Sequence, residues 1–454
     1  SLDRHPNREL FPLISNLLNI FKISDLRNKL MFVILMVIVY RLGVAVRVPG
    51  VDGIAIEQLR AQTSEQGALG FLNLFSGGAF ESFSIFALGI LPYITASIIM
   101  QVLGVVIPKL EELQQDGAVG QRKITQYTRY VTIALATLQS TGLVFIFGTG
   151  RGTAFFSAAS AAPTVPLLPD GVWPRGYLII PTLVAGTAVL MWMGEMISQR
   201  GIGNGISMLI FASVVASLPG GFWGILQLNK VFWFVAMVVL TLGIIVAVVF
   251  VELGQRRIPV QFAKRVVGRR MMGGQNTYIP LKVNQSGVIP IIFASSILLL
   301  PVIGSNVLGG SGGQGWRGTV QRFVDEYIVN PQNVVYITIL ALMIIAFAYF
   351  YNSIAFDPIR QADQLRKQGG FIPGIRPGMQ TEKYLGKAVN RITLPGAVFV
   401  AIIAILPYIL LIAADVNSFG FAGTSVLIAV GVALELMRQI DSQLTLRNYE
   451  GFLK

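Results

Sequence analysis

Ten separate stretches of this chain are apolar for long enough, or nearly so, to cross a lipid bilayer, and that restricts its fold more than anything else. A helix needs about 20 mostly apolar residues to span the hydrocarbon. The stretches lie near 29–47, 85–107, 127–148, 176–197, 203–219, 231–251, 286–303, 334–353, 394–413 and 422–437, the fifth, seventh and tenth being short. Within lipid the backbone must satisfy its own hydrogen bonds, so runs of this length specify helices. Hydrophobic residues make up 54% of the 454 positions and charged residues 13%, against about 25% charged in a soluble domain. The expected fold class is an all-α integral membrane protein with ten transmembrane helices. The first thirty residues are polar and mixed in charge, which reads against a cleaved signal peptide.

Lysine and arginine orient the spans, because loops retained in the cytoplasm keep positive charge. Most of the 35 Lys and Arg fall in the N-terminal tail, the even-numbered loops and the C-terminal tail, so both termini are expected to be cytoplasmic. The chain then divides into a tail (1–28), a first half (29–220, spans one to five), a second half (221–437, spans six to ten) and a second tail (438–454). With five spans each, the halves run in opposite directions, as an inverted repeat requires. Two loops, 252–284 and 356–393, carry seven Lys and Arg apiece. Both mix aromatics, Ile and Pro with the charge, which predicts compact projections rather than disorder. Two structured basic loops on one face exceed what retention requires and point to a large anionic partner, with ribosomal RNA the obvious candidate.

The interior lacks chemistry. There is no cysteine, and the one histidine, His5, sits in the N-terminal tail, which excludes thiol nucleophiles, thiolate metal sites and histidine catalysis. No Walker motif is present, so the chain is not expected to hydrolyse nucleotides, and no cofactor is expected. Glu195, Glu252 and Glu435 fall near cytoplasmic span ends, and Arg41 is positioned to snorkel outward from the first span. "GIGNGIS" (201–207) reads as a tight turn between spans four and five. An inert interior suits a passive channel admitting its substrate by shape and wetting. A ten-span secondary transporter would need a buried ionisable pair or a midplane solute site, and a membrane scaffold without a through-pore is the third class.

One segment fits none of the regular spans. "NLFSGGAFESFSIFALGILPYITASI" (73–98) follows a short apolar piece, breaks at Ser76-Gly77-Gly78, and resumes as a run interrupted by Pro92. Ile90 and Ile94 lie one turn apart on the same helix face, and Ile206 and Ile210 repeat that spacing. Spacing alone reads such pairs as lipid-facing or core.

These residues, with "QRKITQYTRY" (121–130), "GEMISQRGIGNGIS" (194–207), "AKRVVGRR" (263–270), "NQSGVIPIIFASSI" (284–297), "GGFIPGIRPG" (369–378) and "GTSVLIAVGVALE" (423–435), resemble the SecY family over essentially the whole chain. These are the pore subunits of bacterial protein-conducting channels. The resemblance implies two inverted halves around a central pore, in a bacterial plasma membrane. It implies a hydrophobic pore ring of Ile90, Ile94, Ile206, Ile210, Ile292 and Ile428. A plug at about 67–78, comprising Phe71, Leu72, Leu74, Phe75, Ser76, Gly77 and Gly78, would sit outside the ring. Spans two, three, seven and eight would form a lateral gate with Thr95, Ile98, Gln139, Asn284 and Leu300. Arg256, Arg257, Lys264, Arg265, Arg269, Arg270 and Arg376 would dock the ribosome or the SecA ATPase motor. SecE as a helical clamp, SecG as a peripheral subunit, membrane lipids and an unfolded polypeptide bearing a signal sequence complete the implied partners.

Overall fold

The computed structural model describes residues 24–53, 56, 73, 75–148, 175–227, 231–262, 265–267, 270–272, 276–308, 319, 323–324, 327–328, 333–414 and 423–452. In chain order the helices are α1 (Ser24–Ala45), α2 (Leu91–Val106), α3 (Pro108–Gln115), α4 (Gly117–Gly148), α5 (Gly176–Arg200), α6 (Gly205–Gln227) and α7 (Val231–Leu253). Strands β1 (Gln255–Phe262), β2 (Arg265–Val267), β3 (Arg270–Met272) and β4 (Asn276–Lys282) follow. The chain continues through α8 (Ile289–Leu308), α9 (Val334–Ala355), α10 (Pro358–Lys367), β5 (Gly370–Phe371), α11 (Met379–Ala414) and α12 (Gly423–Phe452). Among the described residues, α1, α2, α4 to α9, α11 and α12 correspond to the ten apolar stretches. Windows in α1, α5, α7, α9 and α11 are each long and apolar enough to span alone. The protein is a multi-pass membrane protein.

Several spans differ from the hydropathy reading. The second was expected from 85, yet α2 begins only at Leu91 and residues 85–90 run in turns. Pro92 explains this: lacking an N–H, it is tolerated in the first helical turn and breaks a helix placed around it. At its far end α2 meets α3 at a 106° bend, at Ile107 and Pro108. Helices α4 and α11 are 32 and 36 residues long, or about 48 and 54 Å at 1.5 Å per residue. They outrun their apolar windows because polar helix formers such as "GQRKITQ" and "MQTEKYLGK" carry the same helix beyond lipid.

The basic loops are not helical. Strand β1 pairs antiparallel with β4, Ile258 opposite Ile279, and β5 adds to the other side of β1. The alternation in "QRRIPVQF" turns Ile258 and Val260 inward and the arginines outward. Those inward residues pack with Leu281, Phe356, Leu365, Ile372 and Leu385. Loops 252–284 and 356–393 therefore share one small apolar core, and a sheet that the all-α reading did not include rests on the helical body.

Within that body, one apolar cluster joins α7, α8, α9, α11 and α12 through residues such as Ile244, Leu298, Leu340, Ile344 and Ala404. A second joins α4 and α5 to the chain on either side of the plug region, through Val48, Phe80, Phe83, Val144 and Leu183. There the segment leaving α1 pairs with the one approaching α2: Val48 N–H donates to the Phe83 carbonyl at 3.0 Å and Ile85 N–H to that of Val46 at 3.0 Å. A third cluster lies between them and holds the candidate site.

Candidate functional site

Helix α6 is aimed by the turn before it. Asn204 Oδ1 accepts from Ile206 N–H at 3.0 Å, and Ser198 Oγ accepts from Gly205 N–H at 2.8 Å. A Cβ on Gly205 would fall 2.0 Å from the Gly194 carbonyl oxygen, so only glycine lets α6 start this close to α5. Ile206 and Ile210 follow on one face. Ile90 is the N-cap of helix α2, and Ile94 follows in its first turn. Helix α8 presents Ile292, and its start is held from behind: a Cβ on Gly396 of α11 would lie 2.3 Å from the Val283 carbonyl oxygen.

All six isoleucines singled out in the sequence meet in the third cluster. Ile90, Ile210, Ile292 and Ile428 are among its buried members, and Ile94 and Ile206 pack against them. The four buried ones are at most 5% exposed. Two of these helices, α2 and α6, come from the first five spans, and α8 and α12 from the last five. The same cluster includes Phe75 and Ala79 from either side of the glycine break.

The break is a hydrogen-bonded corner. Gly77 and Gly78 have φ of +64° and +88°, a left-handed region that side chains disfavour. Gly78 N–H donates to the Asn73 carbonyl at 3.0 Å, and Ser76 Oγ accepts from Phe80 N–H at 3.0 Å. Tyr40 Oη donates to the Ser76 carbonyl at 2.8 Å and lies 2.6 Å from Ser213 Oγ of α6. Arg41, expected to snorkel, instead donates from Nη1 to the Gly77 carbonyl at 3.0 Å. Phe71, Leu72 and Leu74 lie outside the described residues.

On the side of the isoleucines that faces the loop before α6, a cavity of about 1,040 Å³ opens between the helices, with Ile206, Tyr93, Gln121, Asn204, Arg129 and Glu195 among its lining. Arg129 Nε donates to Glu195 Oε1 at 2.8 Å, and its second nitrogen bonds Oε2, tying α4 to α5 in a bidentate pair.

Thr95, Ile98 and Gln139 are half-buried on α2 and α4. Asn284 is 4% exposed, and its described hydrogen bonds run elsewhere: Nδ2 donates to Glu252 Oε1 at 2.7 Å and to the Gly287 carbonyl at 3.2 Å. The residues grouped as a lateral polar cluster are thus not joined by hydrogen bonds among the described residues. Helix α8 touches both α2 and α4. Leu300 lies on α8.

Sequence comparison decides the family. The SecY family profile matches residues 84–437. The protein translocase subunit SecY of Streptomyces galbus is 47% identical over 440 residues, covering 96% of this chain and 98% of its relative. The chain belongs to the SecY family. The family is one of translocation channels, not enzymes. Solved structures agree in fold: one described as a protein conducting channel superposes with a TM-score of 0.61 at 20% identity, covering 95% of this chain and 96% of the other. Sec61 in the canine ribosome-channel complex from the endoplasmic reticulum gives 0.57 at 19%, with the same coverage.

Within this SecY chain the arginines selected for docking fall on the sheet and its neighbours. Arg256 and Arg257 are exposed on β1, and the Arg257 guanidinium stacks 4.9 Å from the Tyr278 ring centroid. Arg265 and Arg270 belong to β2 and β3, while Lys264 and Arg269 lie outside the described residues. Arg376 follows β5 and its carbonyl accepts from Thr381 Oγ1 at 3.0 Å. Reasoning from sequence missed Tyr40 and Ser213. The available signal was a Tyr-Arg pair inside an otherwise apolar span, since polar groups at that depth need partners.

Proposed function

We propose that this chain is the channel subunit of a bacterial protein translocase, passing unfolded polypeptides across the membrane and releasing apolar segments sideways into lipid. The observation that carries the reading is the convergence of six isoleucines, from four helices drawn from both sets of five spans, into one buried cluster capped by Phe75. Apolar side chains closing a narrow passage expel water, and a column without water conducts neither ions nor solutes. A threading polypeptide spreads them apart, and they reseal behind it. The halves are residues 29–220 and 221–437, with the plug at about 67–78. The SecY relative is named as a translocase subunit, and the Sec61 neighbour is described in a ribosome complex. Both support a pore driven from outside by the ribosome or the SecA motor. SecE and SecG are the companion subunits, the location is the bacterial plasma membrane, and both termini are cytoplasmic. The two basic loops, sharing one core, form the docking platform, through Arg256, Arg257, Lys264, Arg265, Arg269, Arg270 and Arg376.

The chain lacks cysteine, so single cysteines report position cleanly. A stalled nascent polypeptide should crosslink to cysteine at Ile94 or Ile210 and not to cysteine at Leu242, which is 58% exposed on α7. Equal labelling at all three, or none at the two isoleucines, would remove the central path.

A further inference from the structure

We propose that the Tyr40 hydroxyl is the latch of the closed channel, a positioning group that holds the plug corner to α1 and α6 until translocation begins. The inference rests on the proposed plug role of the segment ending at Gly78. Tyr40 is 2% exposed, and its ring stacks on Phe86 with centroids 6.0 Å apart and planes at 17°. The hydroxyl is therefore aimed by packing rather than by chance. It meets two groups on separate elements: the Ser76 carbonyl of the corner at 2.8 Å and Ser213 Oγ of α6 at 2.6 Å. The one tyrosine proton goes to the Ser76 carbonyl, so Ser213 Oγ is the donor toward Tyr40, sharing its proton with the Leu209 carbonyl 2.9 Å away one turn back.

Ser213 lies one turn beyond Ile210 on the same face, so the latch reaches the helix that supplies two of the six isoleucines. Gly77 fits against it: a Cβ there would stand 2.9 Å from the Tyr40 hydroxyl and 3.1 Å from Ser213 Cα. Arg41 adds a second strand by donating to the Gly77 carbonyl at 3.0 Å. Ser76, Ser213 and Tyr40 are all nearly sealed from solvent. Apolar contacts hold such a corner at any nearby position, whereas directed bonds to its carbonyls hold it at one. Spreading α6 away from α1 to widen the passage pulls Ser213 from Tyr40 and loosens the corner in the same movement. The latch thereby couples displacement of the isoleucines to release of the plug.

The test uses the full complex in proteoliposomes, with Ala79→Cys beside the corner as reporter and Leu340→Cys in the other apolar core as control, both buried. A membrane-impermeant maleimide is added from the plug side. Tyr40→Phe keeps the ring and deletes the hydroxyl. It should speed labelling at position 79 about tenfold, since the buried Ser76 carbonyl loses its donor and Ser213 Oγ loses its partner, and leave position 340 protected. Ser213→Ala should give a smaller increase, and the double variant should label no faster than Tyr40→Phe alone. Unchanged labelling at 79, or equal acceleration at 79 and 340, would overturn the latch, the second because it reports general loosening. Deleting residues 67–78 separates this from the underlying reading. A leak on deletion with protected Tyr40→Phe removes the latch alone, and a silent deletion removes the plug itself.

Discussion

Ile292 is 5% exposed although its helix borders the proposed passage, and in the proposed channel that burial is the seal at the scale of one residue. Burying an isoleucine contributes about 1.5–3 kcal/mol, and an amide in its place attracts the water that the cluster excludes. Ile292→Asn should therefore raise resting ion conductance at least tenfold and relax the demand for a strong signal sequence. Conductance across planar bilayers and export of weak-signal substrates would measure both, and unchanged values would argue against a hydrophobic seal. Two hydroxyls on the same helices work the other way. Ser296 Oγ, one turn from Ile292, and Ser425 Oγ, one turn from Ile428, are buried with no hydrogen-bond partner among the described residues. An unsatisfied buried polar group costs about 1–3 kcal/mol. Ser296→Ala and Ser425→Ala should each stabilise the closed form, seen as a higher melting temperature and a lower resting leak. A lower melting temperature together with a higher resting leak would mean these hydroxyls are satisfied by water in the closed channel.

At the scale of elements, the proposed docking to outside machinery falls to the basic loops. The β1–β4 hairpin projects Arg256 and Arg257 into solvent while Ile258 and Val260 anchor it. Reversing Arg256 and Arg257 to glutamate should weaken ribosome binding and flatten the dependence of log affinity on log salt by about one unit per lost phosphate contact. Titration at several salt concentrations measures the slope, and an unaltered slope would take these residues out of the interface. The hairpin also marks where sequence reading stopped. Ten apolar runs were legible because lipid forces each to satisfy its own backbone, and the isoleucine positions were legible through family motifs rather than periodicity. The strands were not, because a charged loop with alternating Ile and Val gives no bilayer-length signal. The start of α2 was misjudged for a related reason: hydropathy counts Phe86 to Ile90 as span, while Pro92 and the corner at Gly77 decide the backbone there. Asn284 was grouped with Thr95 and Gln139 by motif position, yet Glu252 at the end of α7 supplies a stronger partner, a choice that only tertiary packing makes.

For the molecule as a whole, the proposed sideways release requires that the seam of α8 with α2 and α4 can part. Helix α9 lies along α11 and α4 along α5 through long packed stretches, whereas α8 meets α2 and α4 over a shorter length. Polar contacts between helices in lipid contribute only about 0.6–2 kcal/mol each, and the described hydrogen bonds of Asn284 do not cross this seam. A parting there exposes the passage to acyl chains without dismantling either apolar core. A segment inside then chooses by its own transfer energy: leucine and its like gain about 0.3–0.6 kcal/mol each, and a central charge costs about 2.5–3.5. Twenty leucines and alanines should leave sideways, and one or two central lysines should hold the segment on course across the membrane. Cysteines at Ile98 and Leu300, bridged by a bifunctional thiol reagent, should block sideways release of the leucine-rich segment while a fully polar substrate still crosses. Fractionation of the two substrates between membrane and lumen reads the result. Release that persists in the bridged channel would mean the exit lies elsewhere, and loss of both substrates alike would mean that α2 and α8 must separate for any transport at all.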